Sequence, residues 1–273
     1  MAARRIAAHA SDPSVDGALL AWHEPGAPGV LVRDGAASRL GGVHPALGGG
    51  RLAVVRDGAI DVQATAGAPA AVSVAAVGAD AVAVSASWVA WRAREATGDA
   101  IYAASLGGGA PARVAAAAEL GHPALDGSLL AFHHPDRRGG RIVLVDLAAG
   151  TTRTIRRERR AQLLNPSLLG GTLLYVRASY RRQELRVGPV RQRAPRRDRR
   201  LWSTVPTGRR DSGHEPGKRH LRHGHPHKMW PRPHAGVATT LWTTALAADA
   251  AYVTRLRQRV GEPLVTEILR VPR

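Results

Sequence analysis

The sequence predicts an all-β fold, a single β-propeller of six four-stranded blades, and three observations carry the prediction. A phrase made of a proline, a tight turn and an apolar strand recurs along the chain. Its spacing is close to the length of one four-stranded blade. The apolar content, 44% of the 273 residues, is mostly Ala, Val and Leu, with only 4% of the chain aromatic. Such a composition suits many thin, similar layers better than one bulky core.

The phrase reads "SDPSVDGALLAWHE" near the start, "GHPALDGSLLAFHH" at 121–134 and "LNPSLLGGTLLYVR" from Leu164. Good copies span Asp12–Trp22, His44–Val55, His122–Phe132 and Asn165–Val176, with prolines at 13, 45, 123 and 166. The intervals are 32, 78 and 43, and a worn copy, Val84–Trp91, sits inside the long one. A sixth copy starts at Thr243. Setting aside one basic stretch leaves roughly 38 residues per unit, against ~40 for a propeller blade.

The clearest unit can be read strand by strand. "HPAL" is a short strand, and Asp126-Gly127 is expected to close a hairpin because both residues tolerate positive φ. "SLLAFH" returns, "HPDRRGG" is a polar loop, and "RIVLVDL" places Ile142 and Leu144 on one side against Val143, Val145 and Leu147 on the other. "TTRTI" is a polar outer strand. Sheets that are apolar on both faces must be stacked between neighbours, which a radial array achieves with short, protected edges. Blades are expected near 12–40, 44–80, 82–115, 121–157, 164–190 and 236–273. Residues 1–10 would pair with the last strand to close the ring, so that deleting them unravels the fold more than deleting a loop of that size.

These residues resemble a known family. "NPSLLGGTLLYV" and "HPALDGSLLAF…RIVLVDLAAGTTRTI" look like the TolB-like, WD40-like β-propeller repeat, which joins a Pro-Asp-Gly hairpin to an "Ile-x-Leu-x-Asp-Leu-x-x-Gly" strand. Gly48-Gly49 and Leu169-Gly170-Gly171 depart from its Asp-Gly turn. The resemblance implies an interaction module with a protein or cell-envelope partner, and it tilts localisation toward export. No signal peptide is legible in the chain as written, because "MAARRIAAHASDPS" lacks an apolar stretch of useful length.

The formal charge is +18, and it is unevenly placed. Between Arg191 and His234, thirteen Lys or Arg face Asp198, Asp211 and Glu215, a net of +10. This stretch, 191–235, breaks the repeat and cannot bury a core of its own. It reads as a basic insertion between strands of the fifth blade, and three chemistries fit its residues. Arg196, Arg197, Arg199, Arg200, Arg209 and Arg210 offer guanidinium forks for a polyanion, with Trp202 and Trp230 available for stacking. His220, His223, His225 and His227 form an imidazole tract at metal-ligand spacing, set among basic side chains that repel a cation. Asp211, His214 and Glu215 are the acid–base candidates, with Ser212 as a nucleophile beside them.

No P-loop, dinucleotide fingerprint or Gly-x-Ser-x-Gly elbow is present, and no cofactor is expected. The chain has no Cys, which excludes disulfides and thiolate metal sites. Its longest apolar stretch, ending in "SASWVAW", is broken by Asp80 and alternates like strands, so no membrane-spanning segment is expected. The fold and the insertion together point to a monomeric, non-catalytic binding propeller with the 191–235 segment as recognition element. A hydrolase or lyase acting on an acidic substrate, with the insertion walling the pocket, is the alternative, and polyanion binding is the third.

Overall fold

The computed structural model describes residues 3–66, 72–136, 139–179, 182–191, 198–204, 237–259 and 265–273. Among them, twenty-four strands form six antiparallel four-stranded sheets in a ring. The first blade is β2 (Ser11–Asp16), β3 (Leu19–Glu24), β4 (Ala27–Arg33) and β5 (Ala36–Arg39). The second is β6 (Val43–Gly48), β7 (Arg51–Arg56), β8 (Ala59–Ala64) and β9 (Val72–Ala75). The third is β10 (Ala79–Val84), β11 (Trp88–Glu95), β12 (Gly98–Ser105) and β13 (Ala112–Ala117). The fourth is β14 (Ala124–Asp126), β15 (Leu129–Asp136), β16 (Gly139–Asp146) and β17 (Thr151–Glu158). The fifth is β18 (Ala161–Leu169), β19 (Thr172–Ser179), β20 (Gln183–Pro189) and β21 (Arg199–Thr204).

The sixth blade closes the ring with both ends of the chain. Its order is β22 (Val237–Leu246), β23 (Ala250–Arg259), β24 (Val265–Pro272) and then β1 (Arg4–Ala8), with Arg4 opposite Arg270 and Ala8 opposite Glu267. Both worn copies of the phrase are inner hairpins like the other four, β10–β11 and β22–β23.

The cores lie between blades, as double-sided apolar strands require. Leu163, Leu173 and Tyr175 of the fifth blade bury against Ile142, Leu144 and Ile155 of the fourth. Val89 and Trp91 of the third pack with Val55, Ile60 and Val62 of the second. Serines of the inner strands tie neighbours together. Ser14 Oγ accepts from Leu47 N (2.7 Å) and donates to Leu47 O (3.2 Å), and Ser167 Oγ accepts from Leu246 N (3.0 Å).

The repeated proline has a specific place. The inner-strand ladder skips two residues at Asp12-Pro13, His44-Pro45 and Asn165-Pro166, and β22 skips Trp242 and Thr243 in the same way. Proline has no N–H to give the ladder, so the strand bulges there. The residue before it takes a left-handed conformation, with φ of 52° at Asp12, 49° at His44 and 42° at Asn165. This kink turns a polar side chain toward the axis of the disc.

Two expectations need correction. Asp126 does not sit in the turn: it is the last strand residue, opposite Leu129, and the turn is Gly127-Ser128 with only Gly127 at positive φ (58°). Asp16 stands opposite Leu19 in the same way. The departures at Gly48-Gly49 also have a cause, since a Cβ at either position would strike Val84 O or Ala86 N of the neighbouring blade. The basic stretch is not one insertion within the fifth blade. Arg199–Thr204 is that blade's fourth strand, and residues 205–236 run from β21 to β22, between the fifth and sixth blades.

Candidate functional site

The inner strands enclose an axial cavity of about 220 Å³ lined by all six blades. One end is a polar floor, set by the bulges. Asp12 of the first blade and His122 of the fourth come from opposite sides of the ring and meet across the bore, Oδ1 to Nδ1 at 3.5 Å. His44, Asn165 and Thr243 complete the floor. Asn165 Oδ1 accepts from His122 N at 3.3 Å, which holds the loop before β14 in place. The Asp12 backbone N–H is shared between Thr243 Oγ1 (3.1 Å) and Thr254 Oγ1 (3.2 Å), and these hydroxyls lie 2.7 Å apart. One strand outward, His23 stacks on His44 with ring centroids 4.4 Å apart.

In the third blade the bulge residue is Asp80. Arg92 holds its carboxylate with two bonds of 2.7 and 2.8 Å and reaches across to Leu120 O at 3.0 Å. That pair is internally neutralised. Two buried atoms of the floor make no hydrogen bond, Asp12 Oδ1 and His44 Nδ1, and neither does His23 Nδ1 one strand outward. Each such atom costs about 1–3 kcal/mol when nothing takes its place beside it.

Burial keeps the His122 imidazole neutral. Desolvation pushes it down to about 4, against a smaller opposing pull from the Asp12 carboxylate. Desolvation, helped by His44, also lowers His23. At neutral pH the floor therefore presents the Asp12 carboxylate beside a neutral His122 imidazole, an amide and a hydroxyl.

The opposite end is the mouth, framed by the inner hairpin turns. Asp16 and Asp126 stand there on opposite blades, and Asp16 Oδ2 accepts from Gly50 N at 2.7 Å. Between floor and mouth the walls are mostly Pro, Ala, Val and Leu side chains, with the hydroxyls of Ser14, Ser85, Ser167 and Thr244 among them. The charged residues lining the well are Asp12, Asp16 and Asp126, with no Lys or Arg among them, although Lys and Arg number 39 against 21 acids in the chain. At about 220 Å³ the space is smaller than the usual range of ~300–1,000 Å³ for drug-sized ligands, so it suits a small or slender molecule.

Arg196, Arg197, Arg209, Arg210, Asp211, His214, Glu215, His220, His223, His225, His227 and Trp230 all lie outside the described residues. Arg199, Arg200 and Trp202 belong to β21. Both arginines are exposed, and Arg200 Nη1 stands 3.7 Å from the Glu184 carboxylate. Trp202 is half-buried against a cluster that includes Val187, Leu241 and Val253. Among the described residues no group of three or more His, Asp or Glu is placed to hold a metal ion, and no helix is long and apolar enough to cross a membrane.

Sequence reasoning missed the floor, although a signal was present. The position before the proline is polar in every good copy yet not constant: Asp12, His44, His122 and Asn165. Residues conserved between copies build the blade, and the position that varies between them faces the axis.

Searches with family models and among curated proteins found no match. Solved structures do match in fold. TolB from Acinetobacter baumannii aligns over 93% of this chain at 13% identity with a TM-score of 0.50. The fold is that of a TolB-like β-propeller. This chain covers 59% of that TolB's length. A gluconolactonase from Xanthomonas campestris aligns at a TM-score of 0.55 and 15% identity, covering 97% of this chain and 87% of its own. A TolB and a gluconolactonase thus both match this chain in fold, and function has to be argued from the site.

Proposed function

We propose that the protein is a binding module whose ligand seats in the axial well. One observation carries the reading: polar side chains from separate blades converge on one floor, and two of its buried atoms, Asp12 Oδ1 and His44 Nδ1, make no hydrogen bond. Buried polar groups without partners are retained at a cost in stability, and a ligand that supplies the missing bonds is the simplest compensation. Thermal-shift screening of small polar compounds against wild type and Asp12→Asn tests the reading. A compound that raises the melting temperature of wild type and not of the variant supports it. Hits that act equally on both proteins contradict it.

A second reading, hydrolysis of a lactone or ester, has the Asp12–His122 pair in its favour. An imidazole kept neutral at pH 7, facing a carboxylate across the bore at 3.5 Å, has the make-up of a general base for water. The gluconolactonase that shares the fold makes a sugar lactone the first substrate to try. Hydrolysis above the spontaneous rate that disappears in His122→Asn would establish this reading, and a rate unchanged by the substitution would remove it.

A further inference from the structure

Resting on the binding reading, we propose that the well takes a linear aliphatic polyamine. One ammonium would sit at the Asp12 carboxylate on the floor and another between Asp16 and Asp126 at the mouth. The argument starts from charge. In a chain carrying +18 overall, every charged side chain that lines the well is a carboxylate. Neither Asp16 nor Asp126 has an ion-pairing partner among the described residues, and Asp12, which accepts from Ser11 Oγ at 3.2 Å, faces the neutral imidazole of His122 with no Lys or Arg in the well. A neutral or anionic ligand would leave these carboxylates uncompensated as it displaced their water, whereas an ammonium replaces that water with charge-assisted bonds.

The spacing and the walls narrow the choice. Asp12 and Asp16 are four residues apart on one strand, roughly 10–13 Å at ~3.3 Å per residue less the bulge. Asp126 lines the mouth on the blade opposite Asp16, which adds a second carboxylate at that end. Between the two ends lie the side chains of Val15, Ala46, Val82 and Leu125, which offer methylene contact and no charge. Cation, hydrocarbon and cation in a slender extended chain is the pattern of a di- or triamine such as spermidine. The neutral His122 imidazole adds a lone pair that accepts from an ammonium, which has three donors and no acceptor. At physiological ionic strength the repulsion from the disc's distant positive charge is screened beyond about 8 Å, while contacts inside the well are not.

Isothermal titration of the full-length chain at 0.15 M salt with spermidine, butylamine and sorbitol tests the proposal. The expected result is saturable one-to-one spermidine binding, at least tenfold weaker binding of butylamine, and no binding of sorbitol. Asp126→Asn should weaken spermidine at least fivefold, and Asp12→Asn at least tenfold. Asp126 is the safer variant, because its side chain stands at the mouth and an amide leaves the turn intact; melting temperatures of all variants confirm the fold. Saturable sorbitol binding that depends on Asp12, with none of spermidine, overturns the polyamine assignment and leaves the well as a binding site. Binding of every probe unchanged by both substitutions overturns the assignment and the binding reading together.

Discussion

At the outer part of the fifth blade Glu184 and Asp198 lie wholly buried among arginines. At the inner edge Asp12, Asp16 and Asp126 face the axis with no Lys or Arg beside them in the well. Asp198 receives Arg156 Nε (2.6 Å) and Nη2 (3.0 Å) together with the Tyr175 hydroxyl (2.8 Å). Arg156 gives two further donors to Ile155 O and Pro189 O, both at 2.8 Å. The phenol of Tyr175 is pushed up by burial and by the Asp198 charge beside it, so it stays a donor. Even the backbone conforms, since a Cβ at Gly188 would collide with the Asp198 carboxylate. The same residue type is therefore used in two ways. Where its bonds are complete it locks the fourth blade to the fifth, and where they are incomplete it is available to something from outside.

The sharpest break of this contrast is Asp198→Ala. It leaves Arg156, with none of its surface exposed, charged and without its counterion, and should cost about 3–5 kcal/mol in denaturant unfolding. A loss under ~1 kcal/mol would mean that the outer network is not a lock.

Acid should act next, through groups of the inner half. His122, facing Asp12, Asp80, Arg92 and His44, and His133, facing Gln162 and His134, both fall from 6.5 to about 4 on folding, chiefly by desolvation. Between those values the unfolded chain binds protons that the folded protein refuses. Stability is therefore full above pH 6.5 and declines toward pH 4, by up to about 3 kcal/mol per imidazole at ~1.36 kcal/mol per unit. Unfolding measured across that window should lose part of its slope in His122→Asn.

Smaller still is Ser14→Ala, which strips the Leu47 N–H of its partner at the seam between the first and second blades and should cost about 1–2 kcal/mol. The smallest change in stability belongs to Asp12→Asn, under about 1 kcal/mol in either direction, because its Oδ1 makes no hydrogen bond to lose. Its effect should appear in ligand binding. A large stability loss there would put Asp12 in the same class as Asp198 and erase the distinction.

The architecture was legible because it is written redundantly. Six copies of one hairpin, the double-sided apolar strands and the pairing of the two termini all constrain the same ring, so a worn copy such as Val84–Trp91 does not hide it. The bulge at the proline was only half legible. Pro13, Pro45 and Pro166 mark where the ladder breaks, but the direction in which the preceding side chain turns depends on a left-handed φ that Asp, His and Asn tolerate without announcing it. The well was not legible at all as a site. Asp12 and His122 are more than a hundred positions apart in sequence and meet only because the first and fourth blades face each other in a closed ring of six. The strand Arg199–Thr204 was hidden for a different reason: its register is carried by Leu185 opposite Trp202 and by the buried Asp198, within a composition dominated by arginine. Charge drew attention to the segment and concealed the strand inside it.

On the proposed function, ligands are read at the inner edge of the disc. Hydrogen–deuterium exchange on the full-length chain, with and without the screened probe that raises the melting temperature most, tests it directly. Protection confined to peptides covering residues 11–17, 44–50 and 121–128 is the predicted result. Protection confined to 191–235, with the inner strands unchanged, would contradict it.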